Sequence, residues 1–493
     1  MSFLRRLAPV LLILAIGLAH VAALRPGHEW GDDFALYLLH ARNLVEGQPY
    51  ADTGYIYNPH YPSIGPPTYP PVTPLLLAPV YALVGLNLEA MKWMMVGGFM
   101  AFLGAAYLLF RCDLGALRSA VVIALLGLNW FFLQETNTIG SDEFFLGFLY
   151  LAFLLVERAD RTTVNSPAQW LLQLGAGMAA YLAFGTRSLG VLVMVALAIK
   201  ELIVRRRIGR PVLAGMALFA CLALVQTLLV HSDRRYLDQL QGGPGVLVEH
   251  LAWYAERLAA FWSNGRWHLL GILLTAACLL LASAGFALRV RRRVGVCEVF
   301  ALLYVAVILL WPSYEAERYL YPVIPLWIFY AFCGLEHPWL ARRPVLGRTV
   351  FGLLLTGAAL TYTSRYAASD WGPLAHGVHT SEAQELFRCV ADRTRPGDVV
   401  LFAKPRAMAL MTGRASASPY VPDHDEQLWT YLRSVGAAYL VVSNHDGVFG
   451  RAENAELGRF LRLFVARNGR RFTSLCANAD FTVYRIDMYP REG

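Results

Sequence analysis

Two adjacent carboxylates, Asp32 and Asp33, follow the first apolar segment of the chain. Carboxylates at a membrane surface are costly where water is partly excluded, so such a pair marks either a solvated boundary or a site. The next residues favour a site, because Phe34, Leu38 and Ala41 recur at helical spacing opposite polar residues. This pattern predicts a helix along the membrane face, whose dipole would stabilise the carboxylates at its start. A helix cap without chemistry is the alternative for Asp33.

Three further charged residues could take part in chemistry. Asp142 and Glu143 open one apolar segment, and Arg318 stands at the start of another. A carboxylate can take up a proton, and a guanidinium can hold a phosphate through two parallel hydrogen bonds. The alternative for Arg318 is an ion pair with Glu315 or Glu317, which would be purely structural.

Composition sets the class of protein that must position these residues. Hydrophobic residues make up 57% of the 493, charged residues only 16%, and the mean hydropathy is +0.44. Soluble chains are less apolar and more charged, so the sequence predicts a mainly α, polytopic membrane protein. The net charge of +8 comes from short basic clusters between apolar segments. Such clusters are typical of topology signals, which argues against a nucleic-acid partner.

About eleven segments are long and apolar enough to cross a membrane. They are 7–24, 90–110, 119–134, 143–157, 168–185, 188–204, 211–230, 267–288, 295–312, 319–335 and 348–364. The stretch 72–86 is shorter and carries Pro74 and Pro79, which favours an interfacial or half-inserted helix over a twelfth span. The first segment follows Arg5 and Arg6 without a convincing cleavage site, so we interpret it as an uncleaved span.

Arginine distribution predicts the orientation. Clusters at 5–6, 205–210, 289–293 and 342–348 share one side if the N-terminus is cytoplasmic, as the positive-inside rule requires. The C-terminus would then lie on the outer side, which is the periplasm if the membrane is a bacterial inner membrane. Seven carboxylates would face outward, either because charge follows topology or because they line one acidic cavity. They are Asp32, Asp33, Glu135, Asp142, Glu143, Glu315 and Glu317.

Two external regions are long. Residues 25–71 are rich in proline and tyrosine, and a structured loop of this length is usually functional, although an aromatic membrane belt is the alternative. Residues 367–493 predict a small α/β domain that caps or binds, beside a membrane domain over 1–366. Its predicted strands are 399–402, 438–442 and 481–486, and its predicted helices are 381–394, 425–435 and 454–468. Cys389 and Cys476 share this region and could form a disulfide.

The chain resembles the GT-C superfamily of integral-membrane glycosyltransferases, near its protein O-mannosyltransferase and aminoarabinose-transferase branch. The resemblance covers the N-terminal half best. It rests on four motifs in chain order. After the first span come Asp33, Tyr37, Ala41-Arg42, Gly47 and Tyr69-Pro70-Pro71, and a later helix opens with Ser141-Asp142-Glu143-Phe144. The last two motifs are Glu317-Arg318-Tyr319 with Pro322 and Pro325, and Pro405-Arg406-Ala407 with Thr412-Gly413-Arg414. The aminoarabinose branch has a lysine before the paired prolines where this chain has Tyr69, so a lysine contact to phosphate cannot be carried over.

The resemblance implies transfer of a sugar from a polyprenyl-phosphate donor to an acceptor hydroxyl. Asp33 would be the general base, and Asp142 would share that role or orient the acceptor. The residues that would bind substrate are Asp32, Glu143, Arg318, Tyr319, Tyr69 and Tyr37, with Arg318 on the phosphate. The sequence requires no metal, although several acidic groups together could hold a divalent cation. A transporter or flippase of a lipid-linked sugar and a non-catalytic membrane scaffold are the alternatives.

Overall fold

A computed structural model of the chain describes residues 2–230, 245–263, 265, 267–311, 316–450 and 452–487. The helices are α1 (Ser2–Ala22), α2 (Asp33–Glu46), α3 (Val72–Val84), α4 (Leu88–Gly127), α5 (Trp130–Glu135), α6 (Asp142–Ala159), α7 (Pro167–Thr186), α8 (Leu192–Arg205), α9 (Arg210–Leu229), α10 (Gly245–Trp262), α11 (His268–Arg292), α12 (Val296–Leu310), α13 (Ile324–Gly334), α14 (Pro338–Ala341), α15 (Pro344–Ala368), α16 (Ser381–Arg393), α17 (Pro405–Thr412), α18 (Asp425–Ser434) and α19 (Ala452–Arg467). The strands are β1 (Tyr55–Ile56), β2 (Val399–Leu401), β3 (Ala415–Ala417), β4 (Ala437–Ser443), β5 (Phe472–Ala477) and β6 (Phe481–Ile486).

The helical part is that of a multi-pass membrane protein. Within the described residues, four helices are long and apolar enough to cross a bilayer by length and composition, namely α4, α9, α11 and α15. Shorter apolar helices occur at Leu7–Ala22 and in α3, α12 and α13. Backbone polar groups in lipid must be paired within the segment, which is why such apolar sequence becomes helix. The count of eleven spans stays a prediction.

The predicted span 90–110 lies in α4, and the predicted span 119–134 covers the end of α4 and most of α5. Gly115 interrupts α4 with φ of 75°, a left-handed conformation that glycine adopts without a steric penalty. The predicted helix at 72–86 is confirmed as α3. Helix α10 was not predicted, since it falls between the predicted spans 211–230 and 267–288.

Helix α2 begins at Asp33 as predicted, and its polar face is buried in part, since Glu46 on that face is exposed. His40 and Asn43 are buried, and the long loop that follows the helix covers them. The Asn43 side chain donates to the carbonyl oxygens of Pro49 and Asp52 at 3.1 and 2.7 Å. These two side chains pair with the loop backbone, and the position of α2 along the membrane face stays a prediction.

Six strands form one sheet in the order β1-β3-β2-β4-β6-β5. Strands β1, β3, β2 and β4 run parallel to one another, and β6 is antiparallel to both β4 and β5. The predicted strands and helices of the C-terminal region are confirmed, with β3, β5 and α17 in addition. Strand β1 comes from the long loop that follows α2, so this loop and the C-terminal segment share one sheet. Cys389 and Cys476 form a disulfide.

Trp30 fixes the C-terminal segment against the start of α2. Its buried ring packs edge-on against Phe402, Phe449 and Phe481, with ring centroids 5.7, 5.5 and 5.7 Å away. Edge-to-face packing of this kind adds to the gain from burying large aromatic surface. The packing places α17 beside Asp32 and Asp33.

Candidate active site

Asp33, the first residue of α2, is held on both carboxylate oxygens. Its Oδ1 accepts hydrogen bonds from Tyr69 Oη at 2.6 Å and Arg406 Nη1 at 3.1 Å. Its Oδ2 accepts one from Arg318 Nη1 at 3.1 Å. The side chain is nevertheless 36% exposed, so another molecule can reach it.

This environment keeps Asp33 ionised. Burial alone would raise the pKa of the Asp33 carboxyl, but the guanidinium groups of Arg318 and Arg406 and the hydrogen bond from Tyr69 outweigh it and lower the pKa to about 2. Opposite charges and hydrogen bonds to the charged form both favour the carboxylate. Asp33 is therefore a proton acceptor at neutral pH.

One buried histidine and one tyrosine of the long loop position Tyr69. The Tyr69 N–H donates to His40 Nε2 at 3.2 Å, and its carbonyl accepts from Tyr50 Oη at 2.8 Å. Nδ1 of His40 lies 2.8 Å from the Tyr50 carbonyl oxygen, so His40 is the neutral tautomer with its proton on Nδ1. Burial lowers the pKa of His40 to about 4, which agrees with that tautomer.

A second carboxylate, Asp142, lies on the other side of Arg318. Arg318 Nε and Nη2 both lie 2.9 Å from Asp142 Oδ2, and Arg187 pairs with Oδ1 of the same carboxylate. Glu135 Oε1 lies 3.8 Å from Arg318 Nε, and Glu135 Oε2 accepts from Tyr321 Oη at 3.1 Å. Arg318 thus bridges Asp33 and Asp142, while its side chain remains 23% exposed.

Asp32 has a different role from its neighbour. Its two oxygens accept from the backbone N–H groups of Arg406 and Ala407 at 3.4 and 3.1 Å, at the start of α17. A carboxylate there satisfies free backbone donors and complements the helix dipole. Asp32 therefore joins α2 to the C-terminal segment.

The other predicted site residues lie around this core. Glu143 is buried, and neither of its carboxylate oxygens has a hydrogen-bond partner within the described residues. Tyr37 is buried with its ring 4.9 Å from that of Tyr69. Tyr319 lies half-buried in the short 3-10 helix Ala316–Leu320.

Of the two structural partners considered for Arg318, Glu317 bonds Arg257 at 3.2 Å, and Glu315 lies outside the described residues. Within the described residues, Arg318 contacts the carboxylates of Asp33, Asp142 and Glu135.

Two residues of this site were not predicted. Arg187 is 18% exposed beside Asp142, and Arg406 is completely buried beside Asp33. Arg187 was visible in the sequence as one of few arginines on the predicted outer side, which is the signal that could have found it. Arg406 appeared only within the C-terminal motif, and no spacing linked it to Asp33.

Metal binding remains a prediction. Across the ranges that the structure describes, no group of three or more His, Cys, Asp or Glu side chains is arranged to hold a metal ion. The carboxylates Asp33 and Asp142 instead face guanidinium groups.

An apolar groove of about 320 Å³ runs between α4 and α6. Small residues open it, among them Gly98, Gly104 and Gly147, and Phe144 forms part of its wall. A Cβ on Gly98 would lie 2.9 Å from the Phe144 ring, so the groove depends on glycine there. Phe144 belongs to the first turn of α6, which also carries Asp142, so the groove begins beside the charged site.

No protein-family model and no curated protein matches this chain. Solved structures do. ArnT from Cupriavidus metallidurans in the apo state superposes with a TM-score of 0.62 at 13% identity, over 96% of this chain and 97% of that one. The same protein bound to undecaprenyl phosphate gives 0.56 at 12% identity, over 97% and 98%.

A second match is the archaeal oligosaccharyltransferase AglB from Archaeoglobus fulgidus, in complex with an inhibitory peptide and a dolichol-phosphate. It has a TM-score of 0.59 at 12% identity over 89% of this chain and 69% of that one. The arabinofuranosyltransferase AftD from mycobacteria has a TM-score of 0.56 at 13% identity over 98% and 40%. All three are GT-C glycosyltransferases, and identities this low establish the fold alone. The chain therefore has the fold of the GT-C superfamily of membrane glycosyltransferases.

Proposed function

We propose that this protein transfers a sugar from a polyprenyl-phosphate donor to an acceptor hydroxyl on the periplasmic side of a bacterial inner membrane. The observation that carries the proposal is the Asp33 carboxylate. It is ionised and partly exposed, and Arg318 hydrogen-bonds to it at 3.1 Å. A base and a phosphate-binding cation are thus side by side.

The chemistry assigns a task to each group. The acceptor oxygen attacks the anomeric carbon while its proton passes to Asp33, and the bond from that carbon to the phosphate oxygen breaks. The electron pair of the broken bond stays on the lipid phosphate. Arg318 and Arg187, the two partly exposed guanidiniums, stabilise the charge that develops there. Asp142 holds both guanidiniums in place before the donor arrives.

Donor binding would also increase the basicity of the Asp33 carboxylate. A carboxylate with a pKa of about 2 is a weak base, since general bases work best near the operating pH. When the phosphate takes hydrogen bonds from Arg318, Asp33 loses part of its charge partner and becomes more basic. The proton acceptor thus becomes stronger only when a donor is present.

The apolar groove supports a lipid-linked donor. It is about 320 Å³ in volume and begins beside the first turn of α6, where Asp142 lies. The first isoprenoid units of a polyprenyl phosphate would lie there while the phosphate reaches Arg318. Solved structures of the same fold contain undecaprenyl phosphate in ArnT and dolichol-phosphate in AglB.

Two observations support the periplasmic location of the site. Arginine clusters at 205–210, 289–293 and 342–348 stand at the ends of predicted spans opposite to Asp33. The Cys389–Cys476 disulfide belongs to the segment that packs on α2, and disulfides persist in oxidising compartments.

The test is incubation of the purified protein with a panel of radiolabelled polyprenyl-phosphate sugars and a cell-envelope extract as acceptor source. We expect one donor to lose its sugar to the acceptor and to release polyprenyl phosphate. Movement of intact donor across a vesicle bilayer without cleavage would identify a transporter instead. Absence of both reactions with every donor would contradict the proposal.

A further inference from the structure

Arg406 is the largest completely buried side chain in the described part of the chain. It belongs to the first turn of α17, in the C-terminal segment, 373 residues from Asp33 in sequence. Removing a guanidinium from water is costly unless charged and hydrogen-bonding partners receive it. Its burial therefore requires an explanation from its contacts.

Those contacts lead to the candidate base and the loop around it. Arg406 Nη1 donates to Asp33 Oδ1 at 3.1 Å and to Tyr69 Oη at 2.9 Å. Nη2 donates to the Pro66 carbonyl oxygen at 3.0 Å. The guanidinium carbon lies 4.8 Å from the ring centroid of Tyr55 and 5.0 Å from that of Tyr69, within cation–π range.

The loop is shaped to admit this guanidinium. Gly65 has φ of 96°, and a Cβ there would lie 3.0 Å from Arg406 Nη2 and 3.2 Å from Tyr69 Oη. A side chain at this position would be strained by the backbone and would crowd the arginine. The loop glycine and the C-terminal arginine therefore fit each other.

We propose that Arg406 is a positioning residue for the transfer reaction, which fixes the Asp33 carboxylate and the Tyr69 hydroxyl against each other from the C-terminal segment. The inference rests on the proposed function. Arg406 itself is sealed from substrate, so it acts through Asp33, while the exposed Arg318 meets the phosphate. The C-terminal segment, which the sequence predicts to cap or bind, is then part of the catalytic centre.

The proposal has a signature that a purely structural role lacks. Arg406 is one of the two guanidiniums that hold the pKa of Asp33 down. Its removal should raise that pKa and move the acid limb of the kcat profile to higher pH. A lysine would keep the charge, and hence part of the pKa effect, but could not bond Asp33, Tyr69 and Pro66 together.

The experiment compares Arg406→Gln, Arg406→Lys and the control Arg414→Gln in the full-length purified protein. Arg414 follows α17 and bonds Thr394 Oγ1 at 3.0 Å and the Ala391 carbonyl at 2.8 Å, remote from Asp33. We measure kcat and donor KM between pH 2 and 8, at each pH for variants that elute as monodisperse protein. We also measure the pH dependence of carbodiimide labelling of Asp33 by mass spectrometry.

We expect Arg406→Gln to lower kcat about 100-fold, the scale of a small misplacement, with a much smaller change in donor KM. Its acid limb and labelling midpoint should rise, Arg406→Lys should recover the midpoint in part, and Arg414→Gln should behave as wild type. A wild-type acid limb and labelling midpoint in folded Arg406→Gln would overturn the inference, as would an equal loss in Arg414→Gln. Wild-type protein that is inactive with every donor would contradict the proposed function. The labelling midpoints of Asp33 would still decide the role of Arg406 in that case.

Discussion

The hydroxyl of Tyr69 donates a 2.6 Å hydrogen bond to Oδ1 of Asp33, which lies 36 positions earlier in the chain. The phenol reaches the carboxylate because His40 and Tyr50 bond the backbone of Tyr69 on both sides. The proline-rich loop therefore contributes directly to the candidate base. Each hydrogen bond on Asp33 affects both its orientation and its pKa.

Tyr69→Phe should reduce kcat about 10-fold without loss of folded protein. The change removes one hydrogen bond to a charged group, commonly about 1.5–3 kcal/mol, but keeps the ring that packs on Tyr37 and Arg406. Steady-state kinetics measure kcat, and size-exclusion chromatography is the control for folding. Unchanged kcat and an unchanged acid limb in Tyr69→Phe would show that the hydroxyl does not act on Asp33.

Arg318→Ala should raise the donor KM and lower kcat, together by at least about 100-fold in kcat/KM, because the charge on the leaving phosphate grows as the bond breaks. Arg318→Lys should recover only part, since an ammonium lacks the planar pair of donors. Arg257→Ala, a nearby arginine that pairs with Glu317 at 3.2 Å, is the control. Wild-type donor affinity in both Arg318 variants would make Arg318 a structural partner of Asp33 and Asp142.

His40 should make stability depend on pH between 4 and 6.5. Burial lowers its pKa to about 4, so the unfolded chain binds a proton there that the folded state does not. Its contribution is present above pH 6.5 and is lost as the pH falls, by about 2 kcal/mol at pH 5. His40→Gln, which can still donate to Tyr50 and accept from Tyr69, should flatten the thermal-unfolding profile. A pH slope of stability identical to that of the wild type would show that His40 does not cause the pH dependence. His28, whose pKa burial lowers to about 3, contributes in the same direction and should leave a residual slope.

The orientation can be tested with reporter fusions. Alkaline phosphatase, which needs an oxidising compartment to fold, should be active when fused after Arg365 and inactive after Arg207. The physical reason is the bias of arginine clusters toward the cytoplasmic side. The reverse pattern would place Asp33 and Arg318 inside the cell and remove the proposed periplasmic site.

The sequence predicts the parts of the site that local rules control. Asp33 was predicted because it starts a helix after a span, and Asp142 because it opens another helix. The sheet strands at 399–401, 437–443 and 481–486 follow from short apolar runs between turns. Such features depend on neighbours within a few residues.

Features that depend on distant partners were not predicted. The joining of β1 to β3 and the contact of Arg406 with Asp33 link residues more than 300 positions apart. The burial of Asn43 was also not predicted, because only the folded loop supplies acceptors for its side chain. Arg187 could have been found, since an arginine on the outer side departs from the topology rule.

The most direct measurement is the single-turnover rate of sugar transfer by Asp33→Asn, with donor binding measured separately. The amide keeps the size of the side chain but removes the proton acceptor, so we expect a rate loss of about 10²–10⁴-fold with little change in donor affinity. Asp52→Asn, an exposed position in the loop that follows α2, is the control and should react at the wild-type rate. Wild-type turnover by Asp33→Asn would reduce Asp33 to a helix cap and contradict the account.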